Sequence, residues 1–208
     1  MSASVLMDPS RNDSNRVVSL HPEQGEARTT SYVGMVIFLG SWAVMFAALF
    51  FSYAIHRTGV AQWPPPGVEP LPLFLPGINT AVVLLSSVCL HFAMRATNLK
   101  NTARFTPWML CTIALGIVFL ASQIYVWVGL WESGLTLRSA GFGSYFYLLT
   151  VFHAAHVVVG LGLLLWVTKH QIRKTQVIKQ PSRLRLASMF WHFVGVVWVL
   201  TFVIVYVL

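Results

Sequence analysis

Acidic residues are scarce in this 208-residue chain, and the scarcity excludes whole classes of function. Asp8, Asp13, Glu23, Glu26, Glu69 and Glu132 are the full set, and none falls in the middle of an apolar stretch. Proton relays and ion-coupled carriers place a carboxylate inside the membrane despite its cost. A stand-alone pump or proton-coupled carrier is therefore not expected. Cysteine is scarcer still. Cys89 and Cys111 both lie in apolar stretches, with no C-x-x-C pair and no zinc-type spacing. That excludes a disulfide framework. No cleavable leader is expected, because residues 1–30 are polar and lack an apolar core. The first long apolar stretch is expected to serve as an uncleaved membrane signal. No repeat relates one half to the other, which argues against a lipid or small-solute carrier built from paired repeats.

Apolar residues are what the chain has in quantity, at 56% of the total with a mean hydropathy of +0.69. They gather over 33–55, 72–94, 107–131, 142–168 and 188–208. Each stretch is about 20 residues or more, enough for a helix to cross a ~30 Å hydrocarbon core. The expected fold is all-α, an integral membrane bundle of five transmembrane helices over 31–208, after a polar cytoplasmic tail over 1–30. Small residues should let the helices approach, as with Ser41, Ala48 and Ser52 in the first and Ala155, Gly160 and Gly162 in the fourth. Residues 62–67 (Gln-Trp-Pro-Pro-Pro-Gly) cannot be helical and should lie extended at the outer surface. Pro76 and Pro107 suit first turns of helices. Gly134, Gly141 and Gly143 should loosen the third connection, and Pro181 should interrupt the fourth.

The net charge is +8, and its placement carries more than its size. Arg11, Arg16 and Arg28 lie on the tail, and Arg95, Lys100 and Arg104 on the second connection. Lys169, Arg173, Lys174, Lys179, Arg183 and Arg185 lie on the fourth. The other two connections hold Arg57 and Arg138 alone. This bias puts the N-terminus in the cytoplasm and Leu208 on the outer, periplasmic side. Anionic lipid headgroups fit such a distribution better than nucleic acid does. Arg95, Arg104, Arg183 and Arg185 are candidate donors to lipid phosphates, although the topological bias alone would also put them there.

Four histidines lie within the stretches: His91, His153, His156 and His192. Imidazole is the common axial ligand of haem. His91 ends its helix on the side where His192 begins its own, so a small b-type cytochrome would use that pair. The other reading is imidazole hydrogen-bonded to neighbouring helices. No copper-type Cys/His/Met cluster is visible. Asn79 and Gln123 are amides suited to interhelical hydrogen bonds. Trp191 and Trp198 are seven apart and share a helical face, which suits packing or lipid contact. Trp63, Trp108, Trp127, Trp131, Trp191 and Tyr206 lie near span ends, as interfacial anchors do.

Phe190-Trp191-His192-Phe193-Val194-Gly195-Val196-Val197-Trp198 resembles the W-H-F-x-D-x-V-W signature of subunit III of haem–copper terminal oxidases. The other stretches agree in order. The fourth carries Gly143-Ser144-x-Phe146, then Phe152-His153-Ala154-Ala155-His156-Val157 and Gly160. Asn79-Thr80-x-x-Leu84-Leu85-Ser86-Ser87 follows Pro76 in the second. The third carries Leu115-Gly116-x-x-Phe119 and Gln123-x-Tyr125, and the first Gly34-Met35-x-x-Phe38-Leu39-x-Ser41 with Met45-Phe46. The likeness covers nearly all of 31–208 and is to the short, five-helix bacterial form. It implies an accessory, non-catalytic subunit in the cell inner membrane. Such a subunit would dock on subunit I, with subunit II in the same complex, and hold phospholipid in a cleft. Haem and copper would belong to the partners of a proton-pumping cytochrome c oxidase. A quinol oxidase or nitric oxide reductase partner, or a place in a respiratory supercomplex, is compatible with the same motifs. Three departures stand out: Trp42, Val126 and Gly195 replace the family's usual acids. They put in doubt a role in proton supply.

Overall fold

The computed structural model describes residues 22–59, 72–99, 101–136, 141–172 and 181–207. Five helices follow in order: α1 (Pro22–Thr58), α2 (Phe74–Asn98), α3 (Thr102–Glu132), α4 (Phe142–Ile172) and α5 (Pro181–Thr201). A wider π-helical turn, Phe202–Val207, continues α5. Each helix is long and apolar enough to cross a membrane. The chain is an all-α, multi-pass membrane protein.

Helix ends extend past the apolar stretches. α1 reaches back to Pro22, into the segment expected to be tail, and α5 starts at Pro181. Pro181 thus opens a helix rather than interrupting a connection, because proline suits a first helical position where no N–H partner is needed. Arg183 and Arg185 consequently ride on α5. Pro107 lies inside α3 rather than opening it. The helix begins earlier because the Asn101 side chain caps it, accepting from the Arg104 N–H at 3.1 Å. Gly143 belongs to α4, while Gly134 and Gly141 hold positive φ values of 92° and 73°. At Gly141 a Cβ would also strike the His56 ring at 2.5 Å, so two constraints coincide there. The proline-rich segment at 62–67, Arg138, Arg173, Lys174 and Lys179 lie outside the described residues.

Helices α2 and α3 form a tight antiparallel hairpin, joined by residues 99–101. α5 packs against α2 and α4, and α3 against α4. The core lies among these four, around Trp198, Phe119, Phe146, Phe190, Leu90, Met109, Leu149 and Leu164. α1 is peripheral. Only 6% of its span is buried, against half of the spans of α4 and α5. Its inner face carries Phe38, Trp42, Phe46 and Tyr53 at helical spacing. These meet Phe190 of α5 and Phe152, His156 and Tyr145 of α4. The Ser52 and Tyr145 hydroxyls meet at 3.1 Å. Val36, Ile37, Val44, Phe51 and Ile55 face outward from α1.

Candidate functional site

Trp191 joins four helices. It projects from α5, and its indole N–H donates to Ser86 Oγ of α2 at 3.1 Å. One ring edge lies over Gly116 of α3, where a Cβ would come within 2.7 Å. The opposite side lies over Gly160 of α4, at 3.0 Å from a Cβ built there. The two glycines create the slot and the hydrogen bond sets the ring in it. Trp191 is therefore a buried packing residue and not an interfacial anchor. Trp127 likewise turns inward and donates to Thr150 Oγ1 at 3.1 Å, and Tyr206 is buried. Trp131 stays half-exposed. Among the small residues picked out from sequence, Gly160 and Ser52 make helix contacts. Ser41, Ala48, Ala155 and Gly162 point outward, because a small residue marks an interface only on the facing side.

A second polar node lies deeper along the hairpin. Asn79 Nδ2 donates to Gln123 Oε1 at 3.5 Å, and Ser122 Oγ donates to Asn79 Oδ1. Nearby Trp198 donates to Thr80 Oγ1 at 3.1 Å. These bonds tie α2 to α3 and to α5 where no water competes.

The four histidines separate into two pairs. His153 is buried beside Phe119 and Trp198, and neither ring nitrogen has a protein partner among the described residues. It lines a cavity of about 10 Å³ with Gly116, Trp191, Val194 and Gly195. His156 Nδ1 lies 2.7 Å from the Phe152 carbonyl oxygen and donates to it. The His156 ring is capped by Trp42, with centroids 4.3 Å apart and nearly perpendicular planes. His91 and His192 sit at the basic end, His91 exposed and His192 half-buried. No three His, Cys, Asp or Glu side chains converge among the described residues.

The three replaced acids now have surroundings. Trp42 packs on His156 and Phe152, and Val126 is buried in the apolar core. A Cβ at Gly195 would meet Val83 at 3.4 Å and Ser87 Oγ at 3.5 Å, which is ordinary contact. Gly195 therefore leaves room rather than relieving a clash.

At the basic end, Arg185 lines a groove of about 380 Å³ together with Thr29, Ser31, Tyr32, Asn98 and Ser182. The groove lies where the start of α1, the end of α2 and the start of α5 meet. Arg183 instead stacks over Trp166, 5.1 Å from the ring centroid. Arg95 occupies the last turn of α2, where a cation offsets the helix dipole, and Arg104 lies in the first turns of α3. The four arginines thus share one end but not one site.

This set of motifs, on five membrane-spanning helices in this order, defines a class of accessory membrane subunit. Residues 22–208 match the family model described as cytochrome c oxidase subunit III. The chain is 39% identical to cytochrome c oxidase subunit 3 of Synechocystis sp. over 177 residues, covering 84% of this chain and 74% of the relative. The protein of that name from Thermostichus vulcanus is 36% identical, over 85% and 86% of the two chains. That from Corynebacterium diphtheriae is 32% identical, over 84% and 86%. The chain belongs to the cytochrome c oxidase subunit III family, the accessory third subunit of haem–copper oxidases. The haem and copper of such a complex belong to its other subunits.

Proposed function

We propose that this chain is a non-catalytic subunit of an aerobic cytochrome c oxidase, docked on subunit I with subunit II in the same complex. Subunit I would reduce O2 to water and pump protons, and this chain would stabilise it. The observation that carries the reading is the acid-free membrane interior. Where the family's usual carboxylates would sit, Trp42 and Val126 hold apolar packing positions and Gly195 leaves room. An interior without carboxylates supports no proton relay of its own. What the chain offers instead is apolar surface, above all the outward face of α1. That face suits docking against another membrane subunit, where shape and small contacts drive association. The relatives' names favour cytochrome c over quinol as electron donor.

Phospholipid is the second part of the reading. Arg185 and the surrounding hydroxyl and amide groups suit a headgroup phosphate at the cytoplasmic rim. The N-terminus would then be cytoplasmic and Leu208 periplasmic, in a bacterial inner membrane. The test is to tag the chain and purify it mildly from native membranes. Co-purification of haem-bearing subunit I and of subunit II supports the reading. Isolation of the chain alone, with every oxidase subunit left behind, overturns it. Arg185→Ala should lower the phospholipid that travels with the complex, read by lipid mass spectrometry. Unchanged lipid would remove Arg185 from that role.

A further inference from the structure

Cys89 and Cys111 lie 22 residues apart in sequence, yet their sulfurs are 3.3 Å apart. The hairpin register explains this. Helices α2 and α3 run antiparallel and are separated by only a few residues, so positions equidistant from residue 100 in sequence face each other. The two cysteines satisfy that condition. So do Phe92 and Trp108, whose rings pack at 4.9 Å. Further along, Thr112 Oγ1 reaches the Ser86 carbonyl at 3.5 Å, and Asn79 meets Gln123 at 3.5 Å. The juxtaposition is a property of the whole hairpin and not of one rotamer. The Thr112 contact also shows how close the backbones are, since one short side chain spans them. Both thiols are free. A disulfide needs sulfurs about 2.0 Å apart, so closure asks for roughly 1.3 Å of movement, within reach of side-chain rotation and a small helix shift.

Access to the two sulfurs differs. Cys89 is buried in the bundle, whereas Cys111 is only partly buried. Each lies nine residues from the basic end of its helix, or about 13 Å at 1.5 Å per residue. That depth is inside hydrocarbon, so an oxidant reaching Cys111 must dissolve in the bilayer. An organic hydroperoxide meets this condition.

We propose that Cys89 and Cys111 form a dithiol that reduces a membrane-dissolved organic hydroperoxide and closes to a disulfide between α2 and α3. Cys111 Sγ attacks the terminal peroxide oxygen. The O–O bond breaks, the leaving alkoxide takes the thiol proton, and an alcohol departs, leaving a sulfenic acid on Cys111. Cys89 Sγ then attacks that sulfur, an S–S bond forms, and the hydroxyl leaves as water with the second thiol proton. Two electrons pass from the sulfurs to the peroxide. Two thiols and one hydroperoxide yield one disulfide, one alcohol and one water.

The test uses the complex in native membranes treated with cumene hydroperoxide. The chain is then denatured, treated with N-ethylmaleimide, weighed intact and mapped by peptide. The expected result is a loss of two hydrogens, no maleimide uptake, and a link between the peptides holding Cys89 and Cys111. Reduction should restore two maleimide adducts. Cys89→Ser should leave the Cys111 sulfenic acid open to trapping with dimedone, and Cys111→Ser should abolish both products. Two maleimide adducts after full treatment would overturn the proposal. A link between two chains, or sulfinic acid on Cys111 without any link to Cys89, would also overturn it.

Discussion

Replacing Gly160 with leucine tests the slot around Trp191, and the same change at Gly162 is its internal control. The two glycines lie two residues apart on α4, about 200° around the helix. A Cβ at Gly160 would meet Trp191 at 3.0 Å and Phe190 at 3.3 Å, whereas nothing lies within 4 Å of one at Gly162. The Trp191 ring cannot retreat, because its far edge abuts Gly116 and its N–H is bonded to Ser86. Overpacking of this kind costs about 1–3 kcal/mol. Leaving glycine inside a helix gains about 1 kcal/mol in propensity. At Gly160 the clash outweighs the gain, because leucine adds three carbons beyond the Cβ. At Gly162 only the gain remains. Set against that gain, the net loss is up to about 2 kcal/mol, which for a chain of this size lowers the melting midpoint by up to roughly 8 °C. Heating the purified chain in mild detergent with a thiol-reactive dye would read this through exposure of Cys89 and Cys111. Gly160→Leu should melt earlier and be lost from the complex, while Gly162→Leu should match or exceed the parent. Equal effects from both substitutions would refute the slot.

Further substitutions probe the rest of the polar packing. Trp191→Phe should destabilise by less than the ~3–5 kcal/mol of full truncation, because Ser86 Oγ keeps its bond to the Val83 carbonyl at 2.7 Å; denaturant titration in detergent would measure it. Asn79→Leu alone should cost about 0.6–1.7 kcal/mol by stranding Gln123. Adding Gln123→Leu should restore part of that loss, since removing both partners leaves no unpaired buried amide; thermal melts of the single and double variants decide it. Gly195→Asp places a carboxylate at the cavity that His153 lines. It should be tolerated better with His153 present than in a His153→Leu background, as measured by chain yield and melting midpoint in a double-mutant cycle.

The five helices were legible because about 20 apolar residues in a row have few other uses. Their ends were not, since residues 22–30 and 181–187 extend helices without adding apolar length. Asn79 and Gln123 could be picked out as buried amides from their surroundings alone, and the hairpin brings them together. Trp191 was harder. Tryptophan near a span end suggests an anchor, and only the facing glycines at 116 and 160 reveal the slot. The glycine pair itself is ambiguous in sequence, because Gly160 and Gly162 look alike until one helix face is known. The approach of Cys89 to Cys111 was legible in principle, from their symmetry about a short turn. It matches no local spacing rule, so a search for cysteine motifs passes over it.

On the proposed function, this chain holds neither haem nor copper and serves a complex that does. The most direct measurement is to purify the tagged complex, strip this chain free, and determine haem and copper in both fractions. The reduced-minus-oxidised haem bands and the copper should stay with subunits I and II, and the stripped chain should show neither. Haem retained by the free chain and lost from His91→Ala or His192→Ala variants would contradict the proposed function, and would make the protein a small cytochrome.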